Sequence, residues 1–259
     1  MKSFTGIIWS FFMKNEGREI LVLDSVDSTN SYILRNPEYL SKKFFAVRAI
    51  EQTQGRGRFS REWSSVSGED LALSVVFIPE VDINAVSVVT IHAGLAVFRV
   101  LKSVLGEGLK LKWPNDIFYD GRKICGILCE LALNNFKKPA VVIGIGVNVN
   151  RLDFPENLSG SSASIRQITG NEYSVDILAR NILDEIQAIL YDFKGIPIPE
   201  SILNEWMTES AADMEISYYK SGVSERGFIV RINSDGTLDI KNSRTGEKLV
   251  YSGEIIYDA

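Results

Sequence analysis

The segment 139–150, PAVVIGIGVNVN, sets the strongest limit on what this chain can become. Side chains alternate across a strand, so Val141, Ile143, Ile145, Val147 and Val149 share one face, an aliphatic row that only a buried core can satisfy. The opposite face carries Val142, Gly144, Gly146, Asn148 and Asn150. Two glycines on one face leave bare backbone, which either a closely packed helix or a flat ligand can approach. A second run, RKICGILCELAL at 122–133, reads the same way, with Gly126 between Ile124 and Leu128 on one face and Cys125 and Cys129 behind it. Together the two segments predict a glycine-floored groove in a sheet, with an amide at one end and inert core cysteines on its back.

The rest of the chain supplies the surroundings. EILVLDSV and FFAVRAIE read as strands, with a helix between them starting near Ser28 or Thr29, both good capping residues. LALSVVFI is another strand, and 83–105 is apolar on most faces, as a core helix would be. GLKLKWPND follows as a strand ended by Pro114, leaving Lys112 at its tip and Asn115 and Asp116 turning away. Helices are expected over 175–193 and 200–209. Past Ala211 the pattern changes to short alternating strands broken by SG, SDG and TG, which predicts a small all-β barrel and a division into 1–210 and 211–259. The apolar N-terminal stretch lacks a cleavage site and is shorter than the roughly 20 residues of a membrane span, so a packed or frayed segment, no membrane association and a cytoplasmic setting are expected. Only two cysteines occur, too few for a disulfide framework or a zinc site.

The chemistry is narrowed by what is missing. His92 is the only histidine and lies in the apolar helix, so neither a Ser-His-Asp triad nor a His-rich metal site can be assembled, and no metal ligands are assigned. What remains is arginine, lysine and backbone amides, the means of phosphate-centred reactions. In GRGRFSR at 55–61, glycines admit close backbone approach while guanidinium forks match phosphate or carboxylate. The segment is neither a Walker A loop nor a dinucleotide fingerprint. With a net charge of −5 the chain has no global pull toward nucleic acid, so this basic loop is local.

Five ordered segments, DSTN at 27–30, GRGRFSREW at 55–63, KWPND at 112–116, GRKICGILCE at 121–130 and GIGVNVN at 144–150, resemble those of biotin protein ligases. GFIVRINSDGTLDI and GEKLVYSGEI resemble that family's C-terminal region. The resemblance implies an α+β fold of the class II aminoacyl-tRNA synthetase/biotin ligase kind, a mixed β-sheet flanked by helices with a C-terminal SH3-like β-barrel. It implies that biotin and MgATP form biotinyl-5′-AMP, from which biotin passes to a lysine of a biotin carboxyl carrier protein. On it, Ser28, Thr29, Asn30 and Gln52 would contact the biotin head group, Arg56, Gly57 and Arg58 would close over biotin and the adenylate phosphate, and Arg61 and Trp63 would serve the nucleotide. Lys112, with Arg58, would carry catalysis, Gly126, Gly144 and Gly146 would line the biotin pocket, and Asn148 would read adenine. Two departures stand in the loop: Ser60 where the family often has Gly, and Ser65-Val66 where it often has Ser-Pro. About two dozen residues precede DSTN, which implies the monofunctional type, with no DNA-binding domain and no DNA partner; a homodimer is carried over by analogy. A lipoate-protein ligase, and a non-catalytic ligand- or RNA-binding module, are the alternatives.

Overall fold

A computed structural model describes residues 10–15, 18–80, 86–211, 214–220 and 222–257. The first sheet is built from β1 (Ser10–Asn15), β2 (Arg18–Val26), β3 (Ala46–Gln52), β4 (Leu71–Phe77), β5 (Leu109–Lys112), β6 (Asp116–Tyr119), β7 (Arg122–Leu133) and β8 (Pro139–Val147). Their order is β1-β2-β3-β4-β8-β7-β6-β5, with β2 and β3 parallel and the other neighbours antiparallel. The sheet is therefore mixed, as expected. The run 139–147 lies in the middle of the sheet, between β4 and β7, with every residue buried or half-buried.

Helices α1 (Thr29–Arg35), α2 (Val86–Leu105), α3 (Ile165–Thr169), α4 (Val175–Tyr191) and α5 (Glu200–Glu209) flank it. Ser28 caps α1 by accepting the Ser31 N–H, and Ser164 and Gln167 form a reciprocal capping box on α3. α2 is apolar nearly all round because it packs against β5 and β7 on one side and against α4 and α5 on the other. Its length and composition would also suit a membrane span, but most of it is buried inside this fold. The expected start of this helix near Ile83, and most of the apolar N-terminal segment, lie outside the described residues. The segment's last part is β1, which the sequence reading did not separate from its surroundings.

The second sheet, β9 (Glu215–Lys220), β10 (Val223–Ile232), β11 (Leu238–Asn242), β12 (Lys248–Tyr251) and β13 (Ile255–Tyr257), is antiparallel in the order β12-β11-β10-β9-β13 and forms the small SH3-like unit. Its inner residues Ile216, Tyr218, Leu238 and Ile240 belong to the same hydrophobic cluster as α2 and β8. The Trp113 indole N–H donates to the Gly236 carbonyl at 3.1 Å, joining the two sheets beside the site.

One expectation is corrected. Asn115 lies in the expected turn, but Asp116 does not turn away from Lys112: the chain folds straight back, Asp116 opens β6, and Lys112 and Asp116 are cross-strand partners. Ile117, fully buried, gives β6 the apolar anchor that a pair of turn-forming residues disguised.

Trp206 of α5 pins the helical layer, with its indole N–H on the Ile91 carbonyl at 2.9 Å and its ring against Gly94, where an added Cβ would stand 3.4 Å away. Trp206→Ala is expected to lower unfolding free energy by about 3–5 kcal/mol, measured by urea denaturation.

Candidate active site

One continuous cavity of about 410 Å³ runs from the first turn of α1, across β7 and β8, to the edge of the second sheet. Every site residue expected from the sequence lines it: Ser28, Thr29, Asn30, Gln52, Arg56, Gly57, Arg58, Arg61, Trp63, Lys112, Gly126, Gly144, Gly146 and Asn148. Their positions within it differ in ways the sequence did not reveal.

At one end stands a network of neutral polar groups. Gln52, the last residue of β3, accepts the Thr29 backbone N–H at 3.0 Å, and its Oε1 lies 3.3 Å from Thr29 Oγ1. Ser74 of β4, which sequence reasoning missed, places its hydroxyl 2.7 Å from Thr29 Oγ1 and 2.6 Å from Asn30 Oδ1. Asn30 donates to the Leu128 carbonyl and to Glu130. A Cβ on Gly144 would strike the Asn30 carboxamide, so this glycine serves close helix packing as well as lining the cavity.

The floor is made by Gly126 and Gly146, which are register partners on β7 and β8. The Trp63 indole lies directly on them: a Cβ on Gly146 would overlap the ring, and one on Gly126 would come within 2.9 Å of it. Lys123 completes this surface, its Nζ 5.6 Å from the Trp63 ring and 2.7 Å from Asp116 Oδ1. Strict alternation would turn Lys123 toward the core. A bulge intervenes: Ile117 pairs with Cys125 and Phe118 with Lys123, leaving Ile124 without a partner on β6. Ile124 and Cys125 are both fully buried in the main core, and Lys123 shares the face of Gly126. The expectation that Ile124 shares a face with Gly126 and Leu128 is thus corrected by the bulge, and with it the second lysine of the site emerges. The cysteines stay behind the floor, where burial pushes both thiols up.

The arginine segment is a small hairpin. Trp63 N–H donates to Gly55 O, Arg56 bridges Glu62, and Gly57 N–H donates to Arg61 O. Its tip holds Phe59 and Ser60 at φ of 54° and 59°, the left-handed region that glycine occupies more readily. The three guanidiniums diverge. Arg56 reaches Ser31 and Glu130, Arg61 reaches Glu254 from the second sheet, and Arg58 bonds only a neutral amide oxygen, Asn115 Oδ1 at 3.1 Å, among the contacts the structure gives it. Burial pulls the pKa of Arg58 down against the attraction of Asp116 and Glu254, and burial likewise pulls Lys112 down. Six cations line the cavity (Arg56, Arg58, Arg61, Lys112, Lys123 and Arg151) against three carboxylates (Glu62, Asp116 and Glu254), in a chain whose net charge is −5. Arg56 and Arg61 are exposed and paired, whereas Arg58, Lys112 and Lys123 are half-buried, where a bound anion would be favoured.

At the far end Asn148 is buried, and its amide nitrogen donates to the carbonyls of Lys123 and Ala163. Those bonds leave its Oδ1 as an acceptor toward the cavity. His92 has no part here: its Nδ1 lies 2.8 Å from the Val88 carbonyl, its ring meets Phe193 edge-on, and burial pulls its pKa down.

Residues 22–148 match the Biotin/lipoate A/B protein ligase family. The chain is 30% identical over 246 residues to a biotin–[acetyl-CoA-carboxylase] ligase of Paracoccus denitrificans, covering 91% of this chain and 99% of that protein. It is 28% identical over 262 residues to the bifunctional ligase/repressor BirA of Bacillus spizizenii, covering 95% of this chain and 76% of the relative. In fold it is similar to the biotin protein ligase from Aquifex aeolicus in complex with biotin and ATP, with a TM-score of 0.77, 24% identity, and coverage of 92% and 97% of the two chains.

The floor can be tested without any ligand. Gly146→Val is expected to lift Trp63 from β8 while the fold persists, seen as a red shift of tryptophan emission with unchanged far-ultraviolet circular dichroism.

Proposed function

The chain belongs to the biotin protein ligase family, and from that premise we propose that it condenses biotin with ATP and hands the biotinyl group to a lysine of a carrier protein domain. In the first step the biotin carboxylate attacks the α-phosphorus, the bond to the β-phosphate oxygen breaks, and pyrophosphate leaves. In the second, the carrier amine attacks the acyl carbon, an amide forms, AMP departs and the amine loses a proton.

The observation that carries this reading is the gradient along one cavity. Neutral hydroxyls and carboxamides stand at one end, half-buried cations in the middle and an amide acceptor at the other. A cyclic urea has two N–H donors and a carbonyl, the complement of a network that presents Ser28, Thr29, Asn30 and Gln52 to the cavity with Ser74 behind them. A dithiolane ring offers no such groups and would gain no hydrogen bond from those side chains, so the network favours biotin over lipoate. The Trp63 indole covers the glycine strip and offers a flat face beside it, and the Asn148 Oδ1 suits an exocyclic amino group of adenine.

In the middle, Lys123 lies on the floor beside Gly126 while Lys112 sits at the tip of β5, its Nζ 4.6 Å from the Phe118 ring. We assign to Lys123 the larger share of neutralising charge at the reacting oxygens, with Lys112 and Arg58 as the surrounding cations. Such fixed positive charge helps most where charge builds in the transition state. Mg²⁺ arrives with the ATP phosphates. Among the described residues no three carboxylates converge as a metal site, and Asp116 and Glu254 are paired with Lys123 and Arg61, so phosphate and water would supply most of its coordination.

Incubation with biotin and MgATP followed by native mass measurement is expected to show bound biotinyl-AMP, with lipoate giving no corresponding adenylate. The reverse pattern would reassign the substrate. Lys123→Met is expected to slow adenylate formation by about 100-fold, the cost of one charge-stabilising group, and Lys112→Ala by less, both read from pyrophosphate release.

A further inference from the structure

The buried pair Asp70 and Arg151 belongs to none of the segments that carry the family resemblance, except that Arg151 directly follows the last of them. Both residues are almost completely buried, at 2% and 3% exposure. Asp70 Oδ2 accepts the Val66 N–H at 2.9 Å, and Oδ1 accepts the Val149 N–H at 3.0 Å. Arg151 donates to the Ser64 carbonyl at 3.0 Å and lies 3.5 Å from Asp70 Oδ2, with its guanidinium over the Phe154 ring at 4.4 Å. The Glu69 carbonyl accepts the Asn150 N–H at 2.8 Å, and the Arg151 carbonyl accepts the Ser164 hydroxyl at 2.7 Å. Three separate stretches, 64–70, 149–151 and 164, are thereby drawn to one point.

Each side of this knot borders the cavity, whose wall includes Ser64 and Arg151. Trp63, on the glycine floor, precedes Ser64, and Asn148, at the far end, precedes Val149. We propose that Asp70 and Arg151 are positioning residues that hold the returning limb of the arginine hairpin to the end of β8, and so set the spacing between Trp63 and Asn148 in which the adenylate is retained. Neither side chain needs to touch the reacting atoms. The pair acts through the backbone at Ser64, Val66 and Val149. Burial pushes the Asp70 carboxyl up to about 6, against the pull of its two N–H donors and of Arg151, so the charge is costly to keep there and its partners must be in place to keep it. Arg151 also carries a buried Nε without a partner, so its orientation depends on Asp70, Ser64 and Phe154 alone among the contacts given.

The inference rests on reading the cavity as an adenylate site, and its test separates the two. Asp70→Ala and Arg151→Met are compared with the unaltered chain by hydrogen exchange and by the rate at which preformed biotinyl-AMP leaks from the protein. Loss of a buried tie should raise exchange at Gly57, Arg61 and Trp63 by about tenfold or more, with Ile143 and Ile145 of β8 unchanged. Leakage should accelerate by a similar factor and KM for ATP should rise, while in Asp70→Ala, which leaves every cavity cation in place, transfer from supplied biotinyl-AMP to the acceptor keeps its kcat. Because both side chains act on one limb, the double variant should resemble the single ones rather than their product. Unchanged hairpin exchange in both variants would overturn the proposal. So would exchange that rises equally in β8, or leakage that stays constant while the hairpin opens. If the unaltered chain forms no adenylate, the ligase reading fails, and the exchange measurement alone decides whether the pair holds the hairpin.

Discussion

Contact between one indole ring and two glycines that face each other across β7 and β8 organises everything else in this site. Gly126 and Gly146 are register partners, so the bare backbone is shared by two neighbouring strands and forms a strip wide enough for a ring. Trp63 reaches it only because the hairpin 55–63 folds back on itself, with Gly55 admitting the Trp63 backbone at a distance no side chain would allow. That return places Arg56, Arg58 and Arg61 around the same strip. The electrostatics of the site are thus a consequence of its packing: the arginines are where they are because an aromatic ring has somewhere flat to lie.

The distribution of charge follows a consistent logic. Two of the three hairpin arginines are engaged by carboxylates that belong to different layers, Glu130 on β7 and Glu254 beside β13. These pairs are exposed enough that each contributes little to stability, but they fix direction. Arg58 and Lys112, whose pKa values burial depresses, are held in a poorly hydrated place instead. Cations in so poorly hydrated a place gain from an anion that replaces the missing water, and a carboxylate meeting a triphosphate brings several negative charges to one spot.

Much of this was legible in the sequence, and the limits were physical. The aliphatic row of β8, the Ser28 cap, the span 200–209 and the grouping of GRGR, KWPND and GIGVN into one cavity all follow from periodicity and side-chain chemistry that neighbouring strands do not alter. Lys123 was not legible, because a β-bulge changes the parity of a strand and nothing local to RKICG announces one. β6 was hidden because Asn and Asp are read as turn formers, whereas here Asp116 opens a strand whose buried Ile117 decides the matter. Ser74 and Asp70 escaped for another reason. Each is a single polar residue beside or inside an apolar run, and its meaning comes from distant partners, such as Asn30, 44 positions from Ser74, and Val149, 79 positions from Asp70. Gly144 shows the opposite case, where the ligand-facing reading and the packing reading of one residue are both partly met.

The second sheet is bound to the first by more than adjacency. Inner residues of β9 and β11 share a hydrophobic cluster with α2 and β8, and the Trp113 indole, one position past Lys112, is tied to Gly236 in the turn between β10 and β11. Glu254 then extends from this sheet to Arg61 of the hairpin, and Ile255 and Ile256 line the cavity mouth. The tip of β5 and the tip of the hairpin therefore both lean on the C-terminal unit, and a shift of that unit would move Lys112 and Arg61 together. A break in sequence character at Ala211 marks a change of strand pattern, but the energetic boundary does not coincide with it, since the core that supports the cationic centre is continuous across both sheets.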